Sequence, residues 1–231
     1  MNIQTFFGDA TTCTFKHKSP DFNDWCHYVV KNKKLSHLVF NRQTHSAIGN
    51  LITEIKNLNP VSIFENNGDF LITNKPGVAL GVLTADCLPI IFYDSKNQVI
   101  AIVHAGWRGT IANICKQTIQ RMQKKYKSNV KDFYIWLGAG ARHCCYQVQP
   151  DFMNHLKKIS DQNFIEKRND KLFFDNTKLN IAQLLSLGIL QEQINTTRNV
   201  CTICNQQFHS YRRCQDKANY QTQATIVWLP I

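Results

Sequence analysis

The stretch VALGVLTADCLPIIFYDSKNQVIAIVHAGWRGT, residues 78–110, decides the fold. It contains three apolar runs, 78–84, 88–93 and 99–104, rich in β-branched or aromatic residues and separated by polar or glycine-containing turns. Such short runs without a helical period read as strands. The period then changes. Over 110–126, Ile111, Ile114, Thr118, Ile119 and Met122 fall on one face and Lys and Gln on the other, which predicts an amphipathic helix beginning just after Gly109. Working outward, runs at 38–42, 61–64, 70–73, 133–137 and 224–229 add further strands. Helices are expected at 24–33, at 150–158 with Pro150 in the first turn, and at 176–187, stopping at Gly188. Residues 1–36 are polar and irregular and are the least readable. Strands outnumber helices and their connections do not repeat as βαβ units, so the expected class is α+β with mixed sheets. No linker, repeat or low-complexity segment divides residues 1–231, and one domain is expected.

Composition narrows the functional classes. The chain has 231 residues and a hydrophobic fraction of 43 %. No run of about 20 uncharged apolar residues is present to span a bilayer. The first twelve residues lack the basic-then-apolar order of a secretory signal, so a cytoplasmic location is expected. Nine cysteines, an odd count with several inside apolar runs, fit buried thiols in a reducing compartment better than a disulfide framework. The net charge of +11 lies partly in 31–34 and 121–127, which read as solvated helix faces. Without interleaved aromatic residues they do not resemble a nucleic-acid groove, and a small anionic substrate suits the same charge.

Chemistry concentrates at run ends. Gln43-Thr44-His45, Thr84-Ala85-Asp86-Cys87-Leu88-Pro89 and His104-Ala105-Gly106-Trp107-Arg108-Gly109 would place two imidazoles and one thiol at one rim of a sheet. Three N and S donors with a fourth position open suit a catalytic zinc. The same residues also read as a packed thiol with hydrogen-bonded histidines, or as a nucleophile, Cys87, with its base, His104. The turn before the helix could present N–H groups to an anion, with Arg108 adding charge. Cys201-Thr202-Ile203-Cys204, with His209 and Cys214 nearby, resembles half a zinc knuckle, but no second CxxC pair completes it. Cys144 and Cys145 are adjacent and, on a strand, would point to opposite faces.

Together with Cys145-Tyr146-Gln147-Val148, Cys201-Thr202 and Ser210-Tyr211-Arg212-Arg213, these blocks resemble, in matching order, the YfiH/PgeF family. This is the laccase-domain or "multicopper polyphenol oxidase" family, whose members are described as purine nucleoside phosphorylases. The resemblance runs from about Leu35 to the C-terminus. It implies a zinc site at His45, Cys87 and His104 in an α+β domain of two mixed sheets flanked by helices. It also implies phosphorolysis of adenosine, inosine, guanosine and methylthioadenosine, with adenosine deamination as a second activity. The chain departs from the family at Ser46, where glycine is usual, at Gly138-Ala139, where Gly-Pro is usual, and in lacking an N-terminal Arg followed by Gly-Gly and Ser.

Phosphorolysis needs cationic anchors, for which Arg108 leads Arg42, Arg142, Arg212 and Arg213, with Gln43 beside them as a further substrate contact. Asp86 is expected to serve as general acid or base, or to orient a ligand histidine. The His-x-Glu and Pro-Cys-x-x-Cys signatures of nucleobase deaminases are absent, as are the His-x-His pairs of laccases, although these donors also bind copper. The expected partners are purine nucleosides and phosphate, with neither membrane nor nucleic acid. The alternative is a Cys/His hydrolase that edits peptidoglycan precursors.

Overall fold

The computed structural model describes residues 2–13, 15–16, 19–157, 159 and 163–231. Lys158, the expected end of one helix, lies outside them, as do Met1, Thr14, His17 and Lys18 of the irregular N-terminal stretch.

In chain order the strands are β1 (Gln4–Phe7), β2 (His37–Arg42), β3 (Gly49–Ile52), β4 (Val61–Asn67), β5 (Phe70–Thr73), β6 (Val78–Thr84), β7 (Leu88–Asp94), β8 (Val99–Ala105), β9 (Phe133–Leu137), β10 (Gln147–Val148), β11 (Ile165–Arg168), β12 (Lys171–Phe174), β13 (Ile194–Asn195) and β14 (Gln223–Trp228). The α-helices are α1 (Pro20–Asn32), α2 (Trp107–Ile111), α3 (Ile114–Tyr126), α4 (Met153–Leu156) and α5 (Asn176–Ser186). Two mixed sheets stack. One runs β1-β14-β6-β2-β4 and the other β13-β9-β7-β8-β5-β3, while β10-β12-β11 form a small third sheet.

The stacking explains the unbroken apolar runs. Val39, Leu80, Val82 and Val227 of the first sheet meet Leu71, Ile91, Ile100 and Ile102 of the second between the layers. On the outer face of the second sheet, Ile90, Phe92, Ala101 and Val103 pack on Ile114, Ile119 and Met122 of α3 and Leu184 of α5. The outer face of the first is covered by Phe22, Cys26 and Val29 of α1. Strands β6, β7 and β8 are buried at every residue, so apart from Thr84, Asp94 and His104 near their ends their side chains are apolar on both faces rather than alternating. Each Leu, Ile or Phe enclosed this way contributes about 1.5–3 kcal/mol. Pro89 is tolerated in β7 because it sits one residue from the strand's start, ahead of the β7–β9 pairing that begins at Ile90.

The expected helix over 110–126 is two helices. It starts earlier, at Trp107, and breaks at Asn113, whose φ of 59° is left-handed, a conformation asparagine accepts more readily than most residues. The expected helix over 150–158 is a 3-10 turn, Pro150–Phe152, followed by the single turn α4. The N-terminal helix begins four residues earlier than expected, with Pro20 in its first turn. Helix α5 is capped by the Asp175 carboxylate, which accepts from Lys178 N at 2.8 Å, and is followed by Gly188 at φ 87°.

Candidate metal centre and active site

His104 is the penultimate residue of β8, Cys87 lies in the turn between β6 and β7, and His45 lies in the loop between β2 and β3. Because β7 and β8 pair antiparallel from Leu88↔Ala105, the start of one and the end of the other share a rim. The His45, Cys87 and His104 donor atoms all lie within 4.8 Å of one another, and the two imidazoles meet edge to face at 4.9 Å. Gly106 leaves the room for this convergence. A Cβ there would stand 3.0 Å from both the Cys87 sulfur and Cδ2 of His45.

The residue that organises the centre is Asp69, which sequence reading passed over. It is 1 % exposed and follows an Asn-Asn-Gly that reads as an ordinary turn. Its Oδ1 accepts from His104 Nδ1 at 2.8 Å and from the His45 amide at 2.9 Å. Its Oδ2 accepts from the Ser46 amide and hydroxyl, both at 2.7 Å, and from the Thr44 amide and hydroxyl. One carboxylate thus fixes the His104 tautomer, leaving Nε2 toward Cys87, and holds the His45 loop, where His45 has φ 58°. Ser46 therefore supplies two hydrogen bonds that the glycine usual at this position could supply only in part.

The charges follow from these contacts. Burial pushes the Cys87 thiol up, but the adjacent His104 and His45 overcome it and hold the thiol at about 6. Burial lowers His104, but Cys87 and Asp69 outweigh it and raise the imidazole to about 9. Asp69 is held well below the usual carboxylate range, its burial outweighed by the bonds from His104 and Ser46. A half-buried thiolate between two imidazoles, one backed by a carboxylate, is a donor set that fits zinc, and it fits copper as well.

The three donors open on a cavity of about 550 Å³, a size suited to a small organic substrate. Its walls include Gln43, Asp86, Arg108 and Arg212 among the expected residues, and Trp107, Tyr146, Tyr211, Lys217 and Tyr220 beyond them. The Arg108 guanidinium lies 4.3 Å from the Trp107 ring centre, and that of Arg212 lies 5.0 Å from Tyr146. Arg42 and Arg142 are not in the cavity wall. Arg42 is exposed at the end of β2, and Arg142 donates to Asn199 O at 2.9 Å. Arg213 also turns away, donating to the Thr202, Ile203 and Asn205 carbonyls. The Gln43 amide is engaged at both ends by the Leu83 backbone, at 2.7 and 2.8 Å. Asp86, at φ 93°, accepts from the Thr202 hydroxyl at 2.6 Å and from the Arg212 amide at 2.7 Å. Both its oxygens are engaged, which suits positioning rather than proton transfer, while the histidine-orienting role falls to Asp69.

Comparison with known proteins agrees with this architecture. A curated purine nucleoside phosphorylase of Borreliella burgdorferi is 31 % identical over 211 residues, covering 89 % of this chain and 84 % of its own length. Another from Aquifex aeolicus is 32 % identical over 161 residues, 70 % of this chain and 72 % of the relative. The purine nucleoside phosphorylase of Bacteroides thetaiotaomicron, at 35 %, is matched over 55 % of its length. The crystal structure of the hypothetical protein YfiH from Bacillus licheniformis superposes with a TM-score of 0.83 at 22 % identity, covering 98 % of this chain and 92 % of that one. Among the described residues no helix is long and apolar enough to cross a membrane. Residues 25–230 match the family described as "Multi-copper polyphenol oxidoreductase laccase", and the chain belongs to that family, which is also the YfiH family.

Proposed function

We propose that the chain is a zinc-dependent purine nucleoside phosphorylase acting on adenosine, inosine, guanosine and methylthioadenosine, with adenosine deamination as a side activity. The observation that carries this reading is the convergence of His45, Cys87 and His104 on a cavity whose walls combine aromatic rings with cations. The naming of curated relatives as phosphorylases supports it. In phosphorolysis a phosphate oxygen bonds to the ribose carbon as the glycosidic C–N bond breaks. The bonding pair leaves on the purine, which takes up a proton, and ribose 1-phosphate results.

His45, Cys87 and His104 would hold the metal, which supplies Lewis acidity where charge develops. Arg108 and Arg212 are the anchors for phosphate, with Lys217 a third cation on the same wall. Tyr146, Tyr211 and Tyr220 offer ring faces and edges to the purine. Asp86 positions the wall through Thr202 and the Arg212 backbone. A cytoplasmic location fits this chemistry and the free thiols.

The test is product analysis of zinc-loaded protein incubated with adenosine, with and without phosphate, beside Cys87→Ala. Phosphate-dependent adenine and ribose 1-phosphate, lost in the variant, are expected. Inosine alone would leave only a deaminase. A second reading draws on the Cys87, His104 and Asp69 relay, which is also the arrangement of a cysteine hydrolase with an oriented base. It makes the chain an editor of peptidoglycan precursors, and it predicts hydrolysis that survives removal of metal by a chelator.

A further inference from the structure

Away from the cavity donors, the fold brings together four cysteines from two distant loops. The sulfurs of Cys144, Cys145, Cys201 and Cys204 all lie within 4.8 Å of one another. A tetrahedral ZnS4 centre with bonds of about 2.3 Å has S···S edges of about 3.8 Å, so the cluster is within a small adjustment of that geometry. All nine cysteines of the chain are free thiols. Cys144 and Cys145 sit in a turn rather than on a strand, with the Cys145 and Tyr146 amides both donating to Arg142 O at 2.9 and 2.8 Å. The turn is what lets adjacent side chains aim at one point. His209 and Cys214 take no part, since His209 contacts Cys13 O and Cys214 donates to Asp216 O.

A further observation favours a metal over a chance gathering of thiols. The two loops are joined by metal-independent contacts. Gly140 and Cys201 form a parallel bridge, Arg142 donates to Asn199 O, and Asn199 donates to Gly138 O at 2.7 Å. The donors are thus held in place before an ion arrives.

We propose that Cys144, Cys145, Cys201 and Cys204 bind a structural zinc, a second metal site that fastens the two loops forming one wall of the cavity. Tyr146 follows Cys145 directly, and Thr202, the partner of Asp86, follows Cys201. Zinc binding replaces the proton of each thiol still protonated with a Zn–S bond and releases that proton to solvent, without a redox change. The proposal stands apart from the phosphorylase reading and is read out by metal content and spectroscopy.

The experiment uses the full chain, expressed with zinc and purified under reductant, and measures zinc per chain by plasma mass spectrometry. About two equivalents are expected for the wild type, about one for Cys87→Ser, and about one for the double variant Cys201→Ser, Cys204→Ser. Because that double variant could misfold, the deciding measurement is made on Cys87→Ser, whose cluster is intact. Its zinc absorption edge should report four sulfur neighbours, and cobalt(II) should give the intense near-ultraviolet band of a tetrathiolate. Removing its zinc should speed proteolysis of the loop at 196–222 by about tenfold or more. Less than a tenth of an equivalent of zinc in Cys87→Ser, nitrogen or oxygen in the zinc shell, or two disulfides in reductant-purified protein would each overturn the proposal.

Discussion

Replacing Asp69 by asparagine tests the claim that one buried carboxylate organises the metal centre. The carboxylate accepts from four N–H groups, those of His104, His45, Ser46 and Thr44. An asparagine offers one oxygen and one NH2. With its oxygen at the Oδ1 position, the NH2 meets the Ser46 and Thr44 amides. With the amide reversed, it meets the His45 amide and forces the His104 proton onto Nε2, which ends ligation. Each buried donor left unpaired costs about 1–3 kcal/mol, and breaking a buried charged pair costs about 3–5 kcal/mol in total. Urea unfolding of the metal-free protein should therefore lose about 3–5 kcal/mol. Zinc affinity, by competition with a chromophoric chelator, should fall by about 10–100-fold. The acid limb adds a sign. Because the folded state holds Asp69 below the ordinary carboxylate value of 3.8, its stabilisation is complete above that pH and is lost as pH falls below it. The variant should lose this part of the acid dependence. An unchanged urea midpoint together with unchanged zinc affinity would refute the reasoning.

Other substitutions probe the centre and the core separately. Gly106→Ala places a Cβ 3.0 Å from the Cys87 sulfur and His45 Cδ2, so zinc binding to the His45, Cys87 and His104 site should weaken by about tenfold or more. Gly106 has φ −68°, a value alanine accepts, so the urea midpoint should move little, and a large shift would sink the steric argument. Gly81→Ala drives a methyl to 2.2 Å from the buried Phe40 ring, and urea unfolding should register a loss of about 1–3 kcal/mol. With Cys87 held at about 6 and His104 raised to about 9, zinc entry between those values displaces one proton, from His104. Zinc affinity should then rise about tenfold per pH unit across that window and level off above it, and a flat profile would contradict the assignment. Arg108→Gln should raise the KM for phosphate by about ten- to a hundredfold, as expected for one charge-assisted bond, with little effect on nucleoside KM. An unchanged phosphate KM would remove Arg108 from the anchor.

The central strands were legible because burial on both faces leaves unbroken apolar runs, and β5, β6 and β9 begin and end where those runs do. The edges were not. Strands β1 and β3 carry no fully buried residue and no apolar pattern, and β13 is two residues long. The break between α2 and α3 depends on one left-handed asparagine, which a hydrophobic period cannot register. At the site, His45, Cys87 and His104 were visible because they end apolar runs and sit in motifs. Asp69 was hidden because its importance lies in what other loops donate to it. The four cysteines were equally hidden as a group, since an adjacent pair reads as two faces of a strand until a turn is known to lie there. Arg42, Arg142 and Arg213 show the converse: a motif places a charge near the site in sequence, while the contacts of the folded loops decide whether it lines the cavity.

The order of strands in the first sheet bears on how the chain must assemble. β14, the last strand described in sequence, lies between β1 and β6, pairing Gln4↔Trp228 on one side and Gln223↔Thr84 on the other. Until it is made, β6 presents an open edge in a wholly buried, largely apolar strand, and β1 has no partner among the described strands. A ribosome-bound chain lacking residues 223–228 is therefore aggregation-prone, and closure of the sheet waits on contacts more than 130 residues apart in sequence. Refolding should be correspondingly slow, on the order of milliseconds to seconds, with the final insertion of one strand as its committed step.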